Sequence, residues 1–181
     1  MENEFEAQVL DVDVEDITKK LLTLGAVETP ECLQRRWVFD FDSDNGVRKW
    51  IRLRTNGTKT TICYKERVDN SVNGTTEIEI VVDDFEKAYE LLSKMNFYPE
   101  KYYQEDKATF FHLNDIEFKI DCWPMIPPVL EIEAKSEEKV NEGLKLLGLE
   151  GKEYGHHGYV TIYKKYGIDL HSYRELRFEN E

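Results

Sequence analysis

Cysteine is scarce in this chain. Cys32, Cys63 and Cys122 are the only three and each is isolated, which excludes the paired ligands of a zinc site and the even count of a disulfide framework. Positive charge is also in deficit. With 24 Lys and Arg against 37 Asp and Glu the formal charge is −13, so the basic face that a nucleic-acid surface needs to displace counterions is missing. No apolar run approaches the roughly 20 residues that cross a bilayer, and Met1-Glu2-Asn3-Glu4 offers neither a basic nor an apolar leader region. These absences predict a soluble, cytoplasmic protein with no nucleic-acid and no membrane partner.

What is there suffices for one core: 181 residues, of which 40% are hydrophobic. Alternation of apolar and polar residues marks strands at 4–10, 36–41, 49–55, 60–67, 76–82, 102–112, 117–123 and 129–135. Asn56-Gly57 separates the third from the fourth and Asn73-Gly74 precedes the fifth, both hairpin dipeptides. Helical spacing groups Ile17, Leu21 and Leu24, then Phe85, Ala88, Leu92 and Met95, then Val140, Leu144 and Leu147. Asp13, Asp83 or Asp84, and Ser136 are the N-cap candidates; Gly25, Asn96 and Gly148 are the stops. Glu4-Phe5-Glu6, Glu77-Ile78-Glu79 and Glu131-Ile132-Glu133 each lead a strand into such a helix, which reads as an internal repeat. The tail after Gly151 reads as a capping segment with a short helix.

Side chains two apart in a strand share a face. Glu4, Glu6 and Gln8 therefore lie together, as do Glu77 and Glu79; Glu117, Lys119 and Asp121; Glu131, Glu133 and Lys135; Arg52 and Arg54; Lys65 and Arg67. Phe5, Ile78, Ile80, Phe118, Ile120, Leu130 and Ile132 take the opposite parity. Helices cover the apolar side, which leaves the charged side either open to water, the commoner arrangement, or rolled inward as a barrel lumen. The kinds of charge are informative. Carboxylate pairs suit hard divalent cations, and an Arg-x-Arg strand offers planar forks to phosphate oxygens. A polyphosphate approaches such carboxylates only with a bridging cation, so the two sets make chemical sense together when the ion is included.

Six segments in order carry a family resemblance: the Glu4-x-Glu6 strand, Ile51-Arg52-Leu53-Arg54, Cys63-Tyr64-Lys65, Glu77-Ile78-Glu79, the strand ending at Asp121, and Leu130-Glu131-Ile132-Glu133. Together they resemble the CYTH superfamily of class IV adenylyl cyclases and thiamine triphosphatases, also called triphosphate tunnel metalloenzymes, from Glu4 to about Lys135. The resemblance implies an α+β fold, an antiparallel β-barrel of about eight strands with a charged interior and helices packed outside. It implies a single domain over 1–181, with a core at 4–135 and a helix and capping tail at 136–181. The implied function is a divalent-metal-dependent enzyme that takes Mg²⁺ or Mn²⁺ and acts on a triphosphate such as ATP or tripolyphosphate, by hydrolysis or by cyclisation of ATP. A non-catalytic polyphosphate- or nucleotide-binding protein of the same fold is the alternative, and a homodimer is compatible with either.

Carried over position by position, the resemblance sets Glu4, Glu6, Asp121, Glu131 and Glu133 near metal, and Arg52, Arg54, Lys65 and Lys107 on the phosphate chain. Glu77 and Glu79 would orient those bases or share in metal binding. Lys65 is a candidate catalytic residue. Lys135 is another, because with Glu131 and Glu133 it completes an E-x-E-x-K that could stand in for a lysine missing at position 8. There Gln8 breaks the N-terminal motif, and an amide carries no positive charge, which predicts a poor catalyst with intact binding. Arg36-Trp37-Val38 replaces the family's Asp-Thr-Tyr, which argues against thiamine triphosphate; Gln104 and Asp106 stand where basic residues are common. His156-His157 reads as polar loop, Cys63 and Cys122 as small packed residues, and Tyr102, Tyr103, Phe110 and Phe111 as core.

Overall fold

A computed structural model describes residues 5–41, 47–67, 75–95, 100–155 and 157–179. Glu4, Asn73-Gly74, Asn96 and His156 lie outside the described residues. In chain order the elements are β1 (Phe5–Leu10), α1 (Val14–Thr23), β2 (Val27–Asp40), β3 (Arg48–Thr55), β4 (Thr60–Arg67), β5 (Thr75–Val82), α2 (Phe85–Lys94), β6 (Glu100–Leu113), β7 (Ile116–Cys122), β8 (Val129–Ala134), α3 (Glu137–Leu147), α4 (Tyr159–Lys165) and β9 (Glu175–Leu176). This is the expected α+β fold on a largely antiparallel sheet. Its strand order is β1-β8-β7-β6-β2-β3-β4-β5, with β9 pairing in parallel to β6. Two strand features are additions. β2 begins nine residues before the expected 36, since its first half is exposed and shows no alternation, and the tail contributes β9.

The chain divides into two compact units, Met1–Cys32 with Lys107–Leu170, and Leu33–Asp106 with His171–Glu181. In the first, β1, β8 and β7 pair in antiparallel fashion, and the second half of β6 pairs with β7. Val9, Phe111, Phe118, Ile120, Leu130 and Ile132 face α1 and α3, which bring Ile17, Leu21, Val140, Leu144 and Leu147. The Asp13 and Ser136 side chains accept N–H groups of the first turns of α1 and α3. Gly148 ends α3 in the left-handed region that favours glycine, at φ 68°.

The second unit holds β2-β3-β4-β5, paired antiparallel. α2, capped by Asp84, sets Phe85, Ala88 and Leu92 against Phe39 and Leu53. Ile78 and Ile80 of β5, expected on a covered face, are 64% and 55% exposed, since the packing of α2 is on β3. Leu24 and Met95, expected on buried helical faces, are the C-caps of α1 and α2 and are exposed; the chain leaves each helix before their turn comes round. Tyr102, Tyr103 and Phe111 are core, as the sequence predicts.

Candidate functional site

Strand register assembles the acidic face of the first unit. Gln8 stands opposite Glu131, and Glu131 opposite Lys119, which forms one rung; Glu6, Glu133 and Glu117 form the next. Asp121, two residues beyond Lys119, shares its face. Lys119 Nζ donates to Asp121 Oδ2 at 2.6 Å and to Glu131 Oε2 at 3.1 Å. Gln8 Nε2 donates to Glu131 Oε1 at 3.2 Å. The Tyr159 hydroxyl from α4 reaches Asp121 Oδ2 at 2.7 Å and lies 3.3 Å from Glu131 Oε1. Burial pushes the Glu131 carboxyl above the usual carboxylate range; Lys119 opposes that shift, and the Asp121 and Glu6 carboxylates reinforce it.

The oxygen donors of Glu6, Asp121, Glu131 and Glu133 suit a hard divalent cation in kind. Among the described residues no three His, Cys, Asp or Glu side chains converge closely enough to hold one as they stand. The Lys119 ammonium is the cation between Asp121 and Glu131, so a metal ion there competes with it and with the Tyr159 hydroxyl for the same oxygens. Lys135 lies one residue beyond β8 and is exposed. Lys107 is exposed and stands opposite Cys122, on the parity of Ile120 and not of Lys119 and Asp121.

Register in the second unit gathers the bases. Arg52 stands opposite Cys63 and Cys63 opposite Glu79; Lys65 stands opposite Glu77; Arg54 stands opposite Arg36. Glu77 forms an ion pair with Lys65, and Glu79 lies 3.8 Å from an Arg52 nitrogen. Burial, then the Arg54 charge, hold the Arg52 guanidinium below its ordinary value, and its buried Nε has no hydrogen-bond partner among the described residues. An anion with several oxygens would supply such a partner. Burial and Arg52 lower the Lys65 ammonium against the pull of Glu77. Burial raises the Cys63 thiol, which touches Glu77, so no activated thiolate is present there. Arg36 is buried, in an ion pair with Asp106 and within 3.2 Å of Gln34.

Lys119, Arg36, Asp106 and Tyr159 belong to these two clusters without having been expected there. For Lys119 the signal was present as the Glu117-x-Lys119-x-Asp121 alternation, which gave its face but not its partners. Tyr159 lies in a segment with no strand periodicity and carried no such signal.

No family model matches the chain, and no curated protein matches it. Solved structures share its fold. A conserved hypothetical protein of Pyrococcus furiosus is 24% identical with a TM-score of 0.65, over 85% of this chain and 96% of that one. A candidate adenylate cyclase of Vibrio parahaemolyticus is 11% identical with a TM-score of 0.67, over 90% and 98%. A candidate adenylyl cyclase of Hippeastrum, described as having a dominant triphosphatase activity, is 17% identical with a TM-score of 0.61, over 90% and 95%. The chain therefore shares its fold with these structures.

Proposed function

We propose that this chain binds a triphosphate-containing small molecule together with Mg²⁺ or Mn²⁺ and acts on it, as a triphosphatase on tripolyphosphate or ATP or as a cyclase on ATP. The observation that carries the reading is the segregation of charge. Carboxylates suited to a hard cation occupy one set of strands, and half-buried Arg52 with Lys65 and Arg54 occupies another. In this reading Glu6, Glu131 and Glu133, with Asp121, would hold the ion. Such an ion would supply charge neutralisation of phosphate; in the second unit Arg52, Arg54 and Lys65 would take phosphate oxygens, with Glu77 and Glu79 paired to Lys65 and Arg52. Lys65, whose ammonium burial and Arg52 hold below its ordinary value, is the lysine this reading assigns to proton handling. The Hippeastrum protein's triphosphatase activity supports hydrolysis as the first reaction to examine.

Calorimetric titration with tripolyphosphate tests the assignment. Arg52→Ala and Arg54→Ala are expected to weaken binding about tenfold or more, because hydrogen bonds from buried charged groups outweigh exposed ones. Arg174→Ala, at an exposed position in the tail, is expected to change little. Equal effects would place the phosphate elsewhere. A second reading, capture of the ligand without turnover, is favoured by one observation: Gln8, where the family motif has a lysine, is buried and hydrogen-bonded on both sides of its amide.

A further inference from the structure

On the face of the second unit that carries Arg52, Arg54 and Lys65, register adds Arg36, directly opposite Arg54 across β2 and β3. Like charges directly opposite one another destabilise a sheet, and the acids at hand do not cancel them all. Asp106 pairs with Arg36, Glu79 lies against Arg52 and Glu77 pairs with Lys65, whereas Arg54 makes no ion pair or hydrogen bond among the described residues. Farther along the same strands Arg48 and Asp40 pair with each other. A surplus of positive charge is thus built into one face of a chain whose formal charge is −13. Arg36 and Asp106 are 7% and 0% exposed, and a carboxylate so buried needs a counter-charge, which is a structural role. Placement tells more. A base anywhere around Asp106 would neutralise it, yet this one stands against the unpaired Arg54. Positions 36 and 106 are also where β2 and β6 depart from the family pattern, base for acid on one and acid for base on the other. The two departures form one ion pair with its poles exchanged, which carries the positive charge from β6 to β2.

We propose that Arg36 is a further phosphate-binding residue and that Asp106, which positions it, sets the affinity of this face for anions. The inference rests on the reading that Arg52, Arg54 and Lys65 take phosphate oxygens. Arg36 and Arg54 each present a planar fork of N–H donors. A phosphoryl group has oxygens enough to accept from both, and its charge relieves the repulsion across the strand pair. Asp106 Oδ1 and Gln34 Oε1 both lie against Nη2 of Arg36, so the guanidinium is oriented from one end. The same Asp106 charge repels an incoming anion. It therefore holds Arg36 in place and limits how tightly the face binds, and its removal frees Arg36 for the ligand at a cost in stability.

The test is calorimetric titration with tripolyphosphate, Mg²⁺ present throughout, beside a melting curve of each protein. Asp106→Asn is expected to melt below the wild type and yet bind about tenfold more tightly, the worth of one hydrogen bond to a charged group. A merely structural role gives a weakened protein that binds no better. The double variant Arg36→Gln with Asp106→Asn removes both charges, leaves the net charge unchanged and lets the two amides bond each other. It is expected to bind about tenfold more weakly than the wild type, and it decides alone should Asp106→Asn not fold. If the double variant binds as the wild type does, the role of Arg36 is refuted; weakened binding by Arg54→Ala beside it would show that the phosphate reading still stands. Equal or weaker binding by a folded Asp106→Asn refutes the role of Asp106. If the wild type takes up no tripolyphosphate, the phosphate reading is overturned and both roles with it.

Discussion

Lys65 and Glu77 show how burial and pairing divide control of a single contact. Burial disfavours charge on both, raising Glu77 and lowering Lys65; at Glu77 the Lys65 ammonium, the hydrogen bond it makes and Arg52 together outweigh burial, and the carboxyl ends below its ordinary 4.5. A depressed carboxyl contributes stability that is complete above the unfolded value and lost as pH falls through the folded one. Wild type is therefore expected to melt above Glu77→Gln at neutral pH, with the difference shrinking once pH drops below 4.5. Melting curves of both proteins across that range check it; a gap that stays constant into acid would show that the pair contributes no charge-dependent stability. Which residue types share a face was legible, because parity is a property of sequence alone. Their partners were not. Lys119 on Glu131, and Arg36 on Asp106, depend on how separate strands pair.

Among the elements, α3 is placed by a glycine. A Cβ at Gly143 would meet Ile132 Cγ2 at 2.8 Å and Phe118 Cε1 at 3.3 Å, on strands whose buried faces the helix covers. The Ile132 methyl branches from Cβ and cannot swing away as the end of a flexible chain would. Alanine in a helix interior is worth about 1 kcal/mol over glycine, whereas overpacking a tight core costs about 1–3 kcal/mol. Gly143→Ala is expected to destabilise by up to about 2 kcal/mol net, read from chemical denaturation; a more stable variant would mean that α3 can lift from the sheet freely. Strand and helix existence was well marked where one face is buried and the other polar, as in β1, β7 and β8. The first half of β2 escaped because it is exposed and lacks alternation. β9 escaped because two residues carry no period.

At the scale of the whole molecule the charge of −13 repels a polyanion, so binding of a triphosphate by this chain is expected to be conditional on a divalent cation. Fold and charged faces were visible in six short motifs; the docking of the 154–166 segment was not, because its hold on Gln8 runs through backbone groups that no pattern of side chains reveals. The most direct test of the account is product analysis after incubation with tripolyphosphate and with ATP, each with Mg²⁺, with Mn²⁺ and with chelator. The account predicts metal-dependent turnover, as orthophosphate and pyrophosphate or as cyclic nucleotide, that is lost with chelator and sharply reduced in Lys65→Ala. Absence of any product from either compound with either metal would contradict it, and would leave capture of the ligand without chemistry as the reading of the site.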